Sequence, residues 1–93
     1  YRVEITVAGE RLDETGMLID FAVLKAVCDE VLDRFDHAYL NELPEFAERN
    51  VTAEHLAQTI YHQIAERLVV PGVDVSEVRL CETEDSATIY RED

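Results

Sequence analysis

The sequence predicts an α+β domain, an antiparallel β-sheet with two helices packed on one face. Three observations carry that expectation. Tyr1, Val3, Ile5 and Val7 alternate with Arg2, Glu4 and Thr6, the period of two that marks a half-buried strand. Two later stretches repeat apolar residues at spacings of three and four, the period of an amphipathic helix. Two short alternating segments then close the chain around Thr83-Glu84-Asp85.

In chain order, the opening strand gives way to a polar connection from Gly9 to Gly16, where Gly16 supplies a backbone angle that other residues disfavour. Asp20 stands where an N-cap belongs. From Phe21 to about Phe35, the residues Leu24, Val27, Cys28, Val31, Leu32 and Phe35 form one stripe. Residues 41–50 read as a loop broken by Pro44. Thr52 caps a second helix, Ala53 to Leu68, whose stripe is Ala53, Leu56, Ala57, Ile60, Ile64 and Leu68. Residues 69–74, with Pro71-Gly72, read as a turn. Ser76 to Glu82 and Ser86 to Arg91 are the closing strands. Three strands make a thin sheet with open edges. The expectation is that it gains a strand from residues before Tyr1 and also pairs with another subunit.

The 93 residues are expected to form one domain, 1–93. The apolar fraction of 47% is that of an ordinary globular chain. No apolar run approaches the roughly 20 residues that span a bilayer, and no signal peptide is visible, so the expectation is a soluble cytoplasmic protein. Eight Lys and Arg stand against 21 Asp and Glu, a net charge of −13, and Lys25 is the only lysine. Nucleic-acid and anionic-membrane surfaces need clustered cations, so both partners are excluded. The acids are spread along the chain. Two explanations fit: adaptation to high salt, which the near-absence of lysine favours, and an ordinary acidic enzyme.

The run Phe35-Asp36-His37-Ala38-Tyr39-Leu40-Asn41 closes the first helical pattern with an adjacent acid and imidazole. One reading is a proton relay in which Asp36 orients His37. The other is a helix C-terminal histidine that satisfies the last carbonyls and the dipole. Glu82 shares the parity of Val78 and Leu80, and a carboxylate on that inward face is costly unless paired. Either the strand ends at Cys81 and Glu82 has reached water, or Glu82 is aimed into a pocket to accept paired N–H donors from a flat heterocycle. His55 and His62 lie seven apart on the polar side of the second helix, about 10 Å along its axis, too far for one metal. They read as solvated surface residues. Cys28 reads as a small buried apolar residue, and Cys28 and Cys81 are too few for a disulfide framework.

Together these pieces resemble the family of 6-pyruvoyl-tetrahydropterin and 6-carboxy-tetrahydropterin synthases. The matching stretches are Thr15-Gly16-Met17-Leu18-Ile19-Asp20-Phe21, the Asp36-His37 run, Asn50-Val51-Thr52-Ala53-Glu54 and Cys81-Glu82-Thr83, in the family's order. The resemblance implies a tunnelling fold, in which the sheets of three subunits close into a barrel and two barrels stack, hence a homo-oligomer, trimer or hexamer. It implies that Asp36 and His37 are the catalytic pair, that Glu82 anchors the pterin ring, and that Thr52 and Glu54 stand beside the pterin pocket. It also implies zinc as cofactor. The family's zinc histidines and catalytic cysteine lie in and before a His-Gly-His segment that would precede Tyr1, so no metal ligand is expected in this chain. The chain is expected to lack its first strand and to be incomplete for activity. Cys81 stands where relatives often carry Trp, and Val51 where they often carry Pro. The implied reaction is that of a lyase on 7,8-dihydroneopterin triphosphate, giving 6-carboxy-5,6,7,8-tetrahydropterin for queuosine-type base synthesis. The alternatives are 6-pyruvoyl-tetrahydropterin as product, or a non-catalytic pterin-binding or assembly subunit of the same fold. The nearest cations for a triphosphate are Arg2, Lys25, Arg34 and Arg79, or residues of a neighbouring subunit.

Overall fold

The structure, a computed structural model, describes residues 2–12, 14–35 and 52–92. Among them the elements follow the expected order: β1 (Arg2–Gly9), α1 (Phe21–Asp33), α2 (Ala53–Arg67), β2 (Val73–Thr83) and β3 (Ser86–Tyr90). The three strands form one antiparallel sheet in the order β1-β2-β3.

Both helix starts are set by short polar side chains. Asp20, in an extended conformation, accepts a hydrogen bond from the Ala22 N–H at 2.8 Å. Thr52 Oγ1 accepts one from the His55 N–H at 3.1 Å. Each satisfies one of the donors that a helix N-terminus leaves without an internal partner. Gly16 has φ +84°, the left-handed region its place in the β1–α1 connection was expected to need.

The core lies between the helices and one face of the sheet. Leu56, Ala57, Ile60, Tyr61, Ile64 and Leu68 from α2 and its end meet Val73, Val75, Val78 and Leu80 of β2, with Val31 of α1 joining them. Val3, Ile5 and Val7 of β1 and Leu24, Val27, Cys28, Leu32 and Phe35 pack against that cluster half-buried. Tyr61 is a core residue that the apolar stripe omitted. Its hydroxyl donates to the Val75 carbonyl at 2.9 Å, so the ring is buried without stranding its polar tip.

β2 begins at Val73, inside the segment expected to be turn through Asp74. The reason is a β-bulge. Thr6 pairs with Glu77 but Val7 pairs with Val75, so Ser76 is an extra residue. The inward parity therefore steps from Val73 and Val75 to Val78 and Leu80. A strand read by strict alternation stops at that step.

The helix-free face carries three cross-strand rows: Arg2–Cys81–Ala87, Glu4–Arg79–Ile89, and Thr6 beside Glu77. Arg79 Nε lies 3.5 Å from Glu4 Oε2, and Arg91 Nε lies 3.7 Å from Glu77 Oε1. Cys81 is buried on this face, its Sγ 3.7 Å from Arg2 Nη2 and 3.9 Å from Glu4 Oε2. Three of the chain's eight cations thus gather with two of its 21 acids on one face, which leaves the remaining surface strongly negative.

Candidate functional site

α2 runs antiparallel to β2. Tyr61 reaches Val75, and Gln58, one turn earlier, donates through Nε2 to the hydroxyl of Tyr90, the partner of Val78, at 3.4 Å. Following both elements onward, six residues of helix advance about 9 Å to Thr52, and four of strand about 13 Å to Glu82. Thr52, Glu54 and Glu82 therefore stand at one end of the domain. Asp36 and His37, as well as Asn50 and Val51, lie outside the described residues.

Glu82 sits at a second bulge. Cys81 pairs with Ala87 and Thr83 with Ser86, so Glu82 has no partner of its own in the ladder. The strand does not end at Cys81, and the extra residue interrupts the alternation at Glu82, which is exposed. Among the described residues no hydrogen bond or ion pair is made to its carboxylate. A bulge at a strand end is a common device for re-aiming one side chain.

Thr52 uses its oxygen as the cap of α2, which leaves the hydroxyl proton for a partner outside the helix. Glu54, exposed in the first turn, stands where the helix dipole favours an anion. What this end offers is a carboxylate able to accept two N–H donors, with a hydroxyl and a second carboxylate at the neighbouring helix start.

The other titratable groups have separate duties. His62 is exposed and paired with Glu92, and His55 is half-buried. Among the described residues no group of three or more His, Cys, Asp or Glu is arranged to hold a metal ion. The described residues therefore do not fit a zinc site. Cys28 is half-buried, and burial, then the Asp29 charge, pushes its thiol up, away from nucleophile chemistry.

The described residues thus form an α+β layer of two helices on a three-stranded antiparallel sheet, with one bulged acid at its end. The sequence profile of the 6-pyruvoyl tetrahydropterin synthase family matches residues 1–93. The chain is 40% identical over 68 residues to the 6-carboxy-5,6,7,8-tetrahydropterin synthase of Bacillus subtilis, covering 69% of this chain and 44% of that protein. It is 31% identical over 93 residues to the 6-pyruvoyl tetrahydrobiopterin synthase of Homo sapiens, covering 98% of this chain and 63% of that protein. The structure of Caenorhabditis elegans 6-pyruvoyl tetrahydropterin synthase superposes with a TM-score of 0.84 at 27% identity, over 98% of this chain and 65% of that one. The chain belongs to the 6-pyruvoyl tetrahydropterin synthase family and has its tunnelling fold. It spans two thirds or less of the length of these relatives.

Proposed function

We propose that this chain is part of a pterin synthase, a lyase acting on 7,8-dihydroneopterin triphosphate and giving 6-carboxy-5,6,7,8-tetrahydropterin. The observation that carries the reading is Glu82, a bulged, exposed carboxylate without a partner among the described residues, at the sheet end where α2 begins. A carboxylate left open in this way can take two adjacent N–H groups of a flat heterocycle, a charge-assisted pair that fixes both position and orientation. Thr52 and Glu54 flank the ring in this reading. Asp36 and His37 are the proton-transfer pair, with the carboxylate holding the imidazole in one tautomer. Relatives named for either product match the chain at overlapping identity, 36–40% for 6-carboxy and 31–37% for 6-pyruvoyl synthases, and the carboxy product is the one this proposal puts to the test. Zinc enters the proposal through the resemblance alone, and no step here is assigned to it. The working unit is proposed to be a homo-oligomer.

The test uses the full-length protein with 7,8-dihydroneopterin triphosphate, the pterin product being separated and identified. Glu82→Ala should weaken pterin binding about 100-fold, the loss of two charge-assisted hydrogen bonds. His37→Ala should bind pterin normally and lose about 100-fold or more in kcat. Unchanged pterin affinity in Glu82→Ala would remove the anchor, and release of a 6-pyruvoyl product would replace the carboxy assignment.

A further inference from the structure

A second cluster of polar side chains lies about 15 Å along α2 from Thr52 and has no part in the pterin reading. β3 ends at Tyr90, opposite Val78, so the first half of β2, from Val73 to Glu77, has no strand beside it on that side among the described residues. Tyr61 partly fills the gap through its bond to the Val75 carbonyl. The rings of Tyr61, His62 and Tyr90 meet edge-on in a triangle, with centroids 5.2 to 5.9 Å apart. Glu92, two residues past β3, closes the arrangement: one of its oxygens accepts from both the Tyr90 hydroxyl and His62 Nε2. Glu92 also forms part of the wall of an open cleft of about 460 Å³, with Tyr61, Leu68, Asp74, Val75 and Ser76.

We propose that Glu92 is an acid-weakened latch: as a carboxylate it fastens the chain beyond β3 to α2 through His62 and Tyr90 and walls the cleft, and once protonated it holds less tightly and opens the free edge of β2 to solvent. Both bonds to Glu92 need it as an acceptor. A proton on the other Glu92 oxygen leaves only a neutral carbonyl acceptor, so both bonds lose their charge assistance and weaken together. His62 donates from Nε2 either as the imidazolium or as the neutral Nε2–H tautomer, so the latch does not depend on that histidine's charge.

The titratable and charged neighbours are accounted for on each element. α2 contributes Tyr61 and His62, with Gln58 beside them and Glu66 one turn on; β3 contributes Tyr90; β2 contributes Asp74. Hydrogen bonds from Tyr90 and then His62 hold the Glu92 carboxyl below its ordinary 4.5. The same bond to Glu92 pushes the Tyr90 phenol above its ordinary 10.0. A depressed carboxyl stabilises the folded arrangement above its unfolded value, and that stability is lost as pH falls through the folded one. A raised phenol contributes below its unfolded value, and that contribution is lost as pH rises through the folded one. The latch is closed between those limits and is weakened first on the acid side.

The experiment is residue-resolved amide hydrogen exchange on the full-length protein in concentrated KCl, corrected for intrinsic rates, from pH 6 to pH 3.5. The backbone N–H of Glu92 faces the Tyr61 hydroxyl and reports the latch, while Ile5 and Val78 report the sheet. Protection at Glu92 should fall about tenfold toward pH 3.5 in the wild type, the sheet amides holding, and should be low throughout in Glu92→Gln. Equal protection in Glu92→Gln and wild type at pH 6 would overturn the proposal. So would a loss that runs in parallel at Val78, which is unfolding of the whole domain. The phenol titration is an independent check: in Glu92→Gln the Tyr90 transition should move down toward 10, and no movement would also overturn it.

Discussion

The two faces of one sheet have opposite constructions. Toward the helices, Val3 with Leu80 and Ile5 with Val78 lead to β2 side chains that have no contact with water. On the other face the same strands present Arg2, Glu4, Glu77, Arg79 and Arg91. The covered face holds the domain together, because burial of apolar area scales with the surface removed from water. The open face contributes little, because its ion pairs are solvated and screened. Its composition has another effect. In a chain of net charge −13, this is the one described sheet surface where cations match acids, so it can approach another surface of the same protein without strong repulsion.

Four substitutions would break or sharpen that contrast. The largest effect is expected on the covered face: Leu80→Ala should cost about 3 kcal/mol in denaturant unfolding, as the side chain has no exposure and leaves a cavity. Gly9→Ala, at the margin of the sheet, comes next. A Cβ there would meet the Leu18 side chain at 2.4 Å and the Gly72 carbonyl at 2.6 Å, and since the latter is backbone the turn must shift, at about 1–3 kcal/mol. Thr52→Ala removes the cap of the helix that covers the sheet and should cost about 1 kcal/mol, with Thr52→Ser restoring most of it. On the open face, Arg79→Ala should change stability by less than about 1 kcal/mol and by less still in 1 M KCl. An Arg79→Ala cost matching that of Leu80→Ala would erase the distinction between the faces. Salt offers a final comparison. Added KCl should raise the unfolding midpoint of the wild type by screening the dispersed acids, and a midpoint insensitive to KCl would count against high-salt adaptation.

Much of this was legible in the sequence because it rests on local periodicity. The alternation through Val7, both apolar stripes, and the caps Asp20 and Thr52 are short-range signals, and each leads to the element it predicts. The failures have a common physical origin. Ser76 and Glu82 are single extra residues, and one extra residue reverses every later side chain in a strand. That hid the first three residues of β2 and left simple parity unable to place Glu82. Tyr61 was missed because its burial depends on a carbonyl 14 residues away. The bond between His62 and Glu92 joins residues 30 apart and leaves no trace in helical spacing. At the candidate site the sequence pointed to Glu82, Thr52 and Glu54 as residue types, whereas their gathering at one end follows from the antiparallel run of α2 over β2. Asp36 and His37 remain with the sequence argument, outside the described residues.

The two bulges of β2 have a consequence for the protein in concentrated solution. Any sheet edge left open is a template for the stacking of further chains, and the most dangerous template is long, flat and regular. Ser76 near one end of β2 and Glu82 near the other each add local twist, and the second places a charge at the rim. A ribbon coiled at both ends cannot continue into a fibril without being straightened. The residue proposed to receive the pterin thus also adds the charge and the irregularity that make a sheet a poor template for stacking.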